Sequence, residues 1–197
     1  MAGLLKGKVA IVTGGSKGIG YSVAERFTKE GAKVVISSRN KEELEVSAKK
    51  LNCDYFALDV SDSKSIESMK EWLIDTHGSL DILVNCAGAV RYDGIMEATE
   101  KDWDFQISVN LTGTFLMCNK LAPIMNDGGA ILNISSTLGL RAMEGAVAYC
   151  AAKGGVVNLT KAMALNCSLK RWNLINWADK LCKYFVYLFP TWIFTQS

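Results

Sequence analysis

Short apolar runs rich in β-branched residues alternate with helical patterns over the first 165 residues, and this alternation constrains the fold more than any other feature. Strands that alternate with helices form a parallel sheet with helices on both faces. We therefore predict an α/β fold with a doubly wound parallel sheet, as one domain over residues 1–165. The predicted strands are 8–13, 33–37, 55–58, 80–85 and 129–135, and the predicted helices are 19–30, 41–51, 63–76, 99–125 and 148–165.

The composition narrows the function classes. The chain has 197 residues and a formal net charge of +2, which gives no indication of a nucleic-acid partner. Six cysteines without a Cys-x-x-Cys pair and a single histidine, His77, do not supply a zinc site, and we expect His77 to be exposed at a helix end. We predict free thiols and a cytoplasmic location. No apolar stretch near the N-terminus has the length of a signal peptide.

A glycine-rich turn, TGGSKGIG (13–20), follows the first predicted strand and opens the first predicted helix. Glycine permits a tight turn and a close approach of the backbone to a pyrophosphate, and a helix N-terminus adds unpaired N–H groups. We therefore predict a dinucleotide site on a Rossmann-like sheet; a turn without a ligand is the alternative. The candidate cofactor-binding residues in this turn are Gly14, Ser16, Lys17, Gly18, Ile19 and Gly20.

The end of the second predicted strand, SSRN (37–40), bears on which cofactor binds. An NAD(H) site would place an Asp or Glu here to accept a hydrogen bond from the ribose 2′-hydroxyl, and none lies between residues 34 and 40. Arg39, the Ser38 hydroxyl and Lys17 instead suit a 2′-phosphate. The sequence therefore favours NADP(H) over NAD(H), with solvated surface charges as the alternative.

Tyr149 and Lys153 are four residues apart on a predicted helix and share a face. A nearby ammonium lowers the pKa of a phenol, which makes Tyr149 a candidate general acid or base. Ser136 follows the fifth predicted strand, where its hydroxyl could hydrogen-bond a substrate carbonyl and the developing alkoxide. We predict Ser136 rather than Ser135 because of its thirteen-residue interval to Tyr149.

These segments together resemble the short-chain dehydrogenase/reductase family over residues 7–164. The matching pieces are TGGSKGIG (13–20), DV (59–60), NCAG (85–88), Asn110, NISS (133–136) and YCAAK (149–153). The resemblance implies that Ser136 orients a carbonyl, that Tyr149 transfers the proton, and that Lys153 lowers the pKa of Tyr149 and holds the nicotinamide ribose.

The resemblance also implies the remaining site residues and the reaction. Asn110 would take part in a proton relay through water, and Asp59 and Val60 would flank the adenine. Asn85, Ala87 and Gly88 would line the cofactor. The implied activity is NADP-dependent interconversion of a ketone and a secondary alcohol, with a 3-oxoacyl thioester as the first candidate. A homo-oligomer formed through helices 99–125 and 148–165 is also implied.

The pattern changes after residue 165. Residues 166–197 hold 8 of the 18 aromatic residues in the chain, and we find no Arg-Val-Asn-like strand there. We expect the sheet to lack the last two strands of the family, which would leave the fifth strand as an exposed edge and the nicotinamide side open to water.

We interpret residues 166–197 as a divergent aromatic-rich tail, not as a separate domain. It is out-of-frame or alternatively spliced sequence, a genuine terminus packed on the sheet, or a segment that contacts a membrane or a partner. Its apolar run is too short for a membrane span. The second functional hypothesis is a truncated, non-catalytic product that binds nucleotide or caps a full-length partner.

Overall fold

A six-stranded parallel sheet in the order β3–β2–β1–β4–β5–β6 organises the computed structural model, which describes residues 3–166 and 172–177. The predicted doubly wound α/β fold is confirmed. The strands are β1 (Val9–Thr13), β2 (Lys33–Ser38), β3 (Asp54–Ala57), β4 (Leu80–Asn85), β5 (Met125–Ile134) and β6 (Asn173–Trp177). The helices are α1 (Gly18–Lys29), α2 (Lys41–Leu51), α3 (Ser63–His77), α4 (Glu100–Ile107), α5 (Gly113–Leu121) and α6 (Val147–Asn166).

Both faces of the central strands are buried, which explains why β1 and β4 are continuous apolar runs instead of alternating ones. Successive side chains of a strand point to opposite faces. Ala10 therefore packs with Phe27 of α1 on one face, and Ile11 packs with Met69 of α3 on the other. No helix within residues 3–166 has both the length and the apolar character to cross a bilayer.

The strand order reverses between β1 and β4. The chain winds outward from β1 to β3 and then returns to the other side of β1, so the loops that follow β1 and β4 separate. Open α/β sheets bind ligands in the crevice outside the carboxyl ends of the strands at such a switch point. The topology therefore fixes where the site must lie.

The predicted helix 99–125 is interrupted in the structure. Thr99 caps α4 by accepting a 3.1 Å hydrogen bond from the backbone N–H of Asp102. A π-helical turn, Ser108–Thr112, then separates α4 from α5, and β5 begins at Met125, four residues before its predicted start. A π turn inserts one residue without changing the polarity pattern, so the sequence did not show it.

A sixth strand lies within the segment that we had interpreted as a tail without a strand, and that expectation was wrong. β6 pairs with β5 in parallel, with Ile131 beside Leu174, so β5 is not an exposed edge. The sequence did not indicate this strand because two of the five residues of NLINW are asparagines, which are depleted in strands, and only one is β-branched. Within the described ranges no strand follows β6, in agreement with the expected lack of later strands. Residues 178–197 lie outside the described residues.

Candidate active site

A cleft of about 470 Å³ opens at the carboxyl ends of β1, β2, β4 and β5. It brings together most of the predicted cofactor residues and two of the predicted catalytic ones. Those that line it are Gly14, Ser16, Lys17, Ile19, Gly20, Ser38, Arg39, Asp59, Val60, Ala87, Gly88, Tyr149 and Lys153. The predicted residues that do not line it are Gly18, Asn85, Asn110 and Ser136.

The glycine turn packs too closely for side chains at two of its positions. A Cβ on Gly14, whose φ is 66°, would lie 3.0 Å from the Cα of Ala87. A Cβ on Gly20 would lie 2.3 Å from the carbonyl oxygen of Gly14. Glycine is therefore required for the first turn of α1 to close over the end of β1.

Thr13 joins this turn to the segment that follows β4, a role that the sequence analysis did not assign. Its Oγ1 accepts hydrogen bonds of 3.0 Å from the backbone N–H groups of both Cys86 and Ala87. One hydroxyl therefore fixes the two loops that face each other across the switch point. Its position as the first residue of TGGSKGIG was the only signal in the sequence.

Charged side chains surround the end of the cleft at β2. Arg39 makes no hydrogen bond or ion pair through its side chain with any described residue, whereas the Lys17 ammonium lies 3.4 Å from the Glu43 carboxylate. Glu43, which the sequence analysis missed, also lines the cleft. Its backbone N–H donates a 3.0 Å hydrogen bond to Asn40, which caps α2. An Asn three residues before a Glu at a helix start was the available signal.

Asp59 and Val60 follow β3 and form the adjacent wall of the cleft, and their contact with the adenine stays a prediction. Asp59 Oδ1 accepts hydrogen bonds from the backbone N–H of Ser61 at 2.9 Å and from its hydroxyl at 2.6 Å. Val60 is buried against the first residue of α5, since a Cβ on Gly113 would lie 2.8 Å from Val60 Cγ2. These hydrogen bonds and this close packing therefore hold Asp59 and Val60 in fixed positions in the wall of the cleft.

The two serines at the end of β5 have different partners, and the difference supports the choice of Ser136. Ser135 Oγ donates a 2.8 Å hydrogen bond to the backbone carbonyl of Lys153 and is buried. Ser136 Oγ accepts a 3.1 Å hydrogen bond from the N–H of Leu138, and the Ser136 side chain is near enough to Tyr149 to oppose the effect of burial on the pKa of that phenol. Ser135 therefore attaches β5 to α6, and Ser136 is the serine beside the phenol.

Lys153 lies one turn after Tyr149, with its ammonium 5.7 Å from the centroid of the phenol ring. Only 4% of Lys153 is exposed, and its Nζ donates a 2.8 Å hydrogen bond to the carbonyl oxygen of Ile134. The shared helical face is therefore confirmed, and the lysine is fixed against the end of β5.

The expected lowering of the Tyr149 pKa by Lys153 was wrong for this structure. Burial raises the pKa of Tyr149 above its ordinary value, and the nearby Ser136 side chain opposes this shift without overcoming it. Burial also lowers the pKa of Lys153 from 10.5 to about 8. Tyr149 is consequently a neutral phenol near pH 7, the protonation state of a proton donor.

Asn110 lies in the π-helical turn with no exposed surface. Its Oδ1 accepts a 3.1 Å hydrogen bond from the N–H of Ala89, and its Nδ2 donates to the carbonyls of Ala89 at 2.7 Å and of Gln106 at 2.9 Å. The Asn110 amide is thus hydrogen-bonded to the backbone of the loop after β4 and of α4, and it does not line the cleft. A Cβ on Gly88 would lie 2.9 Å from Asn110 Oδ1 and 3.6 Å from Lys153 Nζ, so glycine lets these groups approach.

Asn85 was predicted to line the cleft, but it belongs instead to a row of amides in which Asn85 and Asn133 are buried and Asn176 is partly buried. Asn85, Asn133 and Asn176 occupy paired positions on β4, β5 and β6. Asn85 Nδ2 donates to Asn133 Oδ1 at 2.8 Å, and Asn133 Nδ2 donates to Thr160 Oγ1 of α6 at 2.9 Å. We call this set the asparagine row. It attaches three strands and α6 to one another beneath the catalytic residues.

His77 has no part in the cleft, but its expected exposure was wrong. Its side chain is 6% exposed and packs edge-on against Trp72, with ring centroids 5.7 Å apart. Its Nε2 lies 3.3 Å from the Asp54 carboxylate. The contacts of His77 are therefore structural.

Comparison with known proteins agrees with the family resemblance that the sequence motifs indicate. The sequence model of the short-chain dehydrogenases matches residues 8–176. This match includes β6 and extends beyond the resemblance at 7–164.

Three relatives illustrate the range of similar proteins. A D-threitol dehydrogenase of Mycolicibacterium smegmatis is 40% identical over 167 residues, which are 81% of this chain and 64% of that enzyme. A 3-oxoacyl-acyl-carrier-protein reductase of Thermotoga maritima is 35% identical over 81% of this chain and 68% of its own length. A sorbitol dehydrogenase of Cereibacter sphaeroides is 37% identical over 82% and 65%. The chain thus spans about two thirds of the length of these relatives.

Proposed function

The chain belongs to the short-chain dehydrogenase/reductase family, and from this premise we propose that it interconverts a ketone and a secondary alcohol with NADP(H). Tyr149 is the proton donor in the direction of reduction. The observation that carries the proposal is that Tyr149 and Lys153 line the cleft that begins at the glycine turn, with Ser136 next to Tyr149.

Ser136, Tyr149 and Lys153 would each have a different role in carbonyl reduction. The Ser136 hydroxyl, beside the phenol, would hydrogen-bond the carbonyl oxygen and hold it toward Tyr149. Tyr149, neutral because of its raised pKa, would give its proton to the alkoxide oxygen as charge develops there. Lys153 would hold the nicotinamide ribose beside the phenol, since its Nζ lies 5.7 Å from the centroid of the Tyr149 ring.

The cleft fits a dinucleotide. The close approaches at Gly14, Gly20 and Gly88 leave backbone surface where side chains would stand, and the N-terminus of α1 opens onto the same space. The turn 13–20 would hold the pyrophosphate, Asp59 and Val60 the adenine, and Lys153 the nicotinamide ribose. When bound, the nicotinamide supplies or accepts the hydride.

NADP(H) is the proposed cofactor because the end of β2 offers cations and no carboxylate. The unpaired guanidinium of Arg39 and the Ser38 hydroxyl support a 2′-phosphate site. The ion pair between Lys17 and Glu43 weakens the contribution of Lys17, so Arg39 carries this part of the proposal.

The substrate is proposed as a small ketone or alcohol. A 3-oxoacyl thioester and a polyol-derived ketone both have a relative whose name describes that chemistry. We also propose a homo-oligomer that associates through α4, α5 and α6, supported by the exposed side chains of Trp103, Phe115 and Leu165. The thiol state of Cys53 and Cys150 supports a location in the reducing cytoplasm.

The test is oxidation of NADPH, followed by absorbance, with a panel of ketones and with Tyr149→Phe and Ser136→Ala as variants. We expect Tyr149→Phe to lower kcat by at least about 100-fold, the usual contribution of a positioned general acid, with NADPH affinity unchanged. Turnover by Tyr149→Phe at the wild-type rate would refute the assignment. NADPH binding without turnover by the wild type would favour the non-catalytic hypothesis. That hypothesis no longer has the support of an exposed β5 edge, because β5 pairs with β6.

A further inference from the structure

Large apolar side chains are concentrated at one place on the surface. Six of the fourteen exposed large apolar residues in the described chain lie in two loops, the one between β4 and α4 and the one between β5 and α6. We call five of them the mouth residues; they are Tyr92 (66% exposed), Ile95 (73%), Met96 (87%), Leu140 (65%) and Met143 (42%). The sixth, Val90, lines the cleft itself.

The two loops lie side by side. A parallel backbone bridge joins Asp93 to Ala146, so the segment that carries Tyr92, Ile95 and Met96 runs along the segment that carries Leu140 and Met143. Exposed apolar residues are common when scattered, whereas a contiguous group usually marks a binding site. These residues form such a group.

The mouth residues are continuous with the catalytic groups. Val90 lines the same cleft as Tyr149, and α6, which carries Tyr149, begins directly after the second loop. A substrate whose carbonyl reaches Ser136 and Tyr149 can therefore extend its remaining atoms toward these two loops.

Hydrogen-bonding side chains in the two loops are charged ones and the Tyr92 hydroxyl. No Ser, Thr, Asn or Gln occurs in residues 88–98 or 138–146. Hydroxyls of a ligand would therefore have to reach Tyr92, Asp93, Glu97, Arg141 or Glu144 to be paired there. The Arg91 guanidinium is already paired with Asp102 and lies 4.3 Å over the Phe105 ring. Any hydroxyl of a polyhydroxylated ketone that lies against the mouth residues and reaches none of these polar groups would be unpaired, which disfavours its binding.

We propose that the substrate is a ketone with an apolar alkyl or alicyclic body, held by the mouth residues, and not a polyhydroxylated ketone. This inference rests on the proposed function, because it assigns the substrate class of the same site. Each methylene that the mouth residues remove from water strengthens binding about fourfold. The difference between an apolar and a polyhydroxylated ketone of similar size is thus expected to be on the order of tenfold or more.

The first arm of the experiment is kinetic. It compares kcat/KM for cyclohexanone and for erythrulose, both uncharged, with NADPH and the full chain. We expect a preference for cyclohexanone on the order of tenfold. In Ile95→Ser/Met96→Ser, the KM for cyclohexanone should rise by about fourfold or more while the KM for erythrulose and for NADPH stays constant. Ile74→Ser on α3, an exposed isoleucine outside the two loops, is the matched control and should behave as the wild type.

The second arm separates this inference from the proposed function. Calorimetric titration of cyclohexanol and of threitol into the protein with NADPH measures binding without turnover. Tighter binding of cyclohexanol, lost in Ile95→Ser/Met96→Ser, upholds the apolar mouth even if neither ketone is reduced, in which case only the proposed reaction fails. Equal or tighter binding of threitol, binding of neither alcohol, or a double variant that binds cyclohexanol like the wild type overturns the inference.

Discussion

The Lys153 ammonium donates a 2.8 Å hydrogen bond to the backbone carbonyl of Ile134, so the last residue of β5 and the face of α6 that carries Tyr149 are held at a fixed separation. Ser135 adds a second attachment, from its hydroxyl to the Lys153 carbonyl. The turn after β5 packs directly against this hydrogen bond at Gly139. A Cβ on Gly139 would lie 2.6 Å from both the Lys153 carbonyl oxygen and Ser135 Oγ.

Gly139→Ala should therefore separate the Ser136 loop from α6. We expect a loss of about 1–3 kcal/mol in the free energy of unfolding, as for other overpacked sites, together with reduced turnover. Denaturant unfolding measures the first effect and NADPH oxidation the second. Gly154→Ala on α6 is the control, since its Cβ would meet only Gly139 O at 3.6 Å and alanine suits a helix. Equal stability of the two variants would contradict the proposed close contact.

Burial of the Lys153 ammonium makes stability depend on pH. The pKa of Lys153 is 10.5 in an ordinary environment and about 8 in the folded chain, so between these values the unfolded chain binds more protons. The free energy of unfolding contributed by this group therefore rises as pH increases from 8 to 10.5, by an amount on the order of 3 kcal/mol.

Lys153→Met should remove this dependence. The variant is expected to gain stability relative to the wild type at pH 7 and to lose that advantage by pH 10.5, while its turnover is abolished. Denaturant unfolding at several pH values gives the difference directly. Lys161→Met changes an exposed lysine on the same helix and should show no such trend. A constant difference between Lys153→Met and the wild type across this range would show that Lys153 is not desolvated.

Arg39→Ala should weaken NADPH binding by about tenfold or more with little change for NADH, because a charged hydrogen bond to the 2′-phosphate is lost. Glu43→Gln should act in the opposite direction, since it removes a carboxylate from the cleft and frees Lys17. Fluorescence titration with both cofactors measures each effect. Lys50→Ala, at the far end of α2, controls for the change in net charge. A parallel loss of NADH and NADPH binding in Arg39→Ala would disprove the preference.

Thr160→Val should destabilise the asparagine row. It keeps the shape of the side chain but leaves Asn133 Nδ2 without its acceptor in a buried place, which costs about 1–3 kcal/mol. Thr160→Ser retains the hydroxyl and should lose less. Chemical denaturation compares the two variants. If valine and serine are equally tolerated, the hydrogen bond does not contribute as described.

The parts of the fold that the sequence predicts are those with a local signature. The apolar runs of β1 and β4 and the turn 13–20 follow from composition and spacing, and their structures agree closely with the prediction. The π turn at 108–112 has no such signature, because it adds one residue to a helix without changing its polarity. Two of the five residues of β6 are asparagines, and Asn176 meets Thr160 instead of an apolar neighbour, so the usual strand pattern is absent.

At the site, the sequence predicted which residue types occur, but it did not predict how their side chains are oriented. Tyr149 and Lys153 share a face because of helical spacing, which sequence gives directly. Whether Asn85 faces the cleft depends on which side of β4 its side chain occupies, and a single strand does not reveal this. The raised pKa of Tyr149 depends on burial by distant elements, so spacing to Lys153 alone gave the wrong sign.

The asparagine row has a consequence for strand exchange between molecules. Asn176 meets α6 only when β6 pairs with β5 in the observed register, because a slip of one residue would turn its amide to the other face of the sheet. A segment from a second copy or from another protein that replaced β6 would lose the contacts with Val156 and Thr160 unless it presented a hydrogen-bond donor at this same position. The outer side of β5 therefore selects its neighbour by chemical identity and alignment, and an apolar strand of equal length would be a poor substitute.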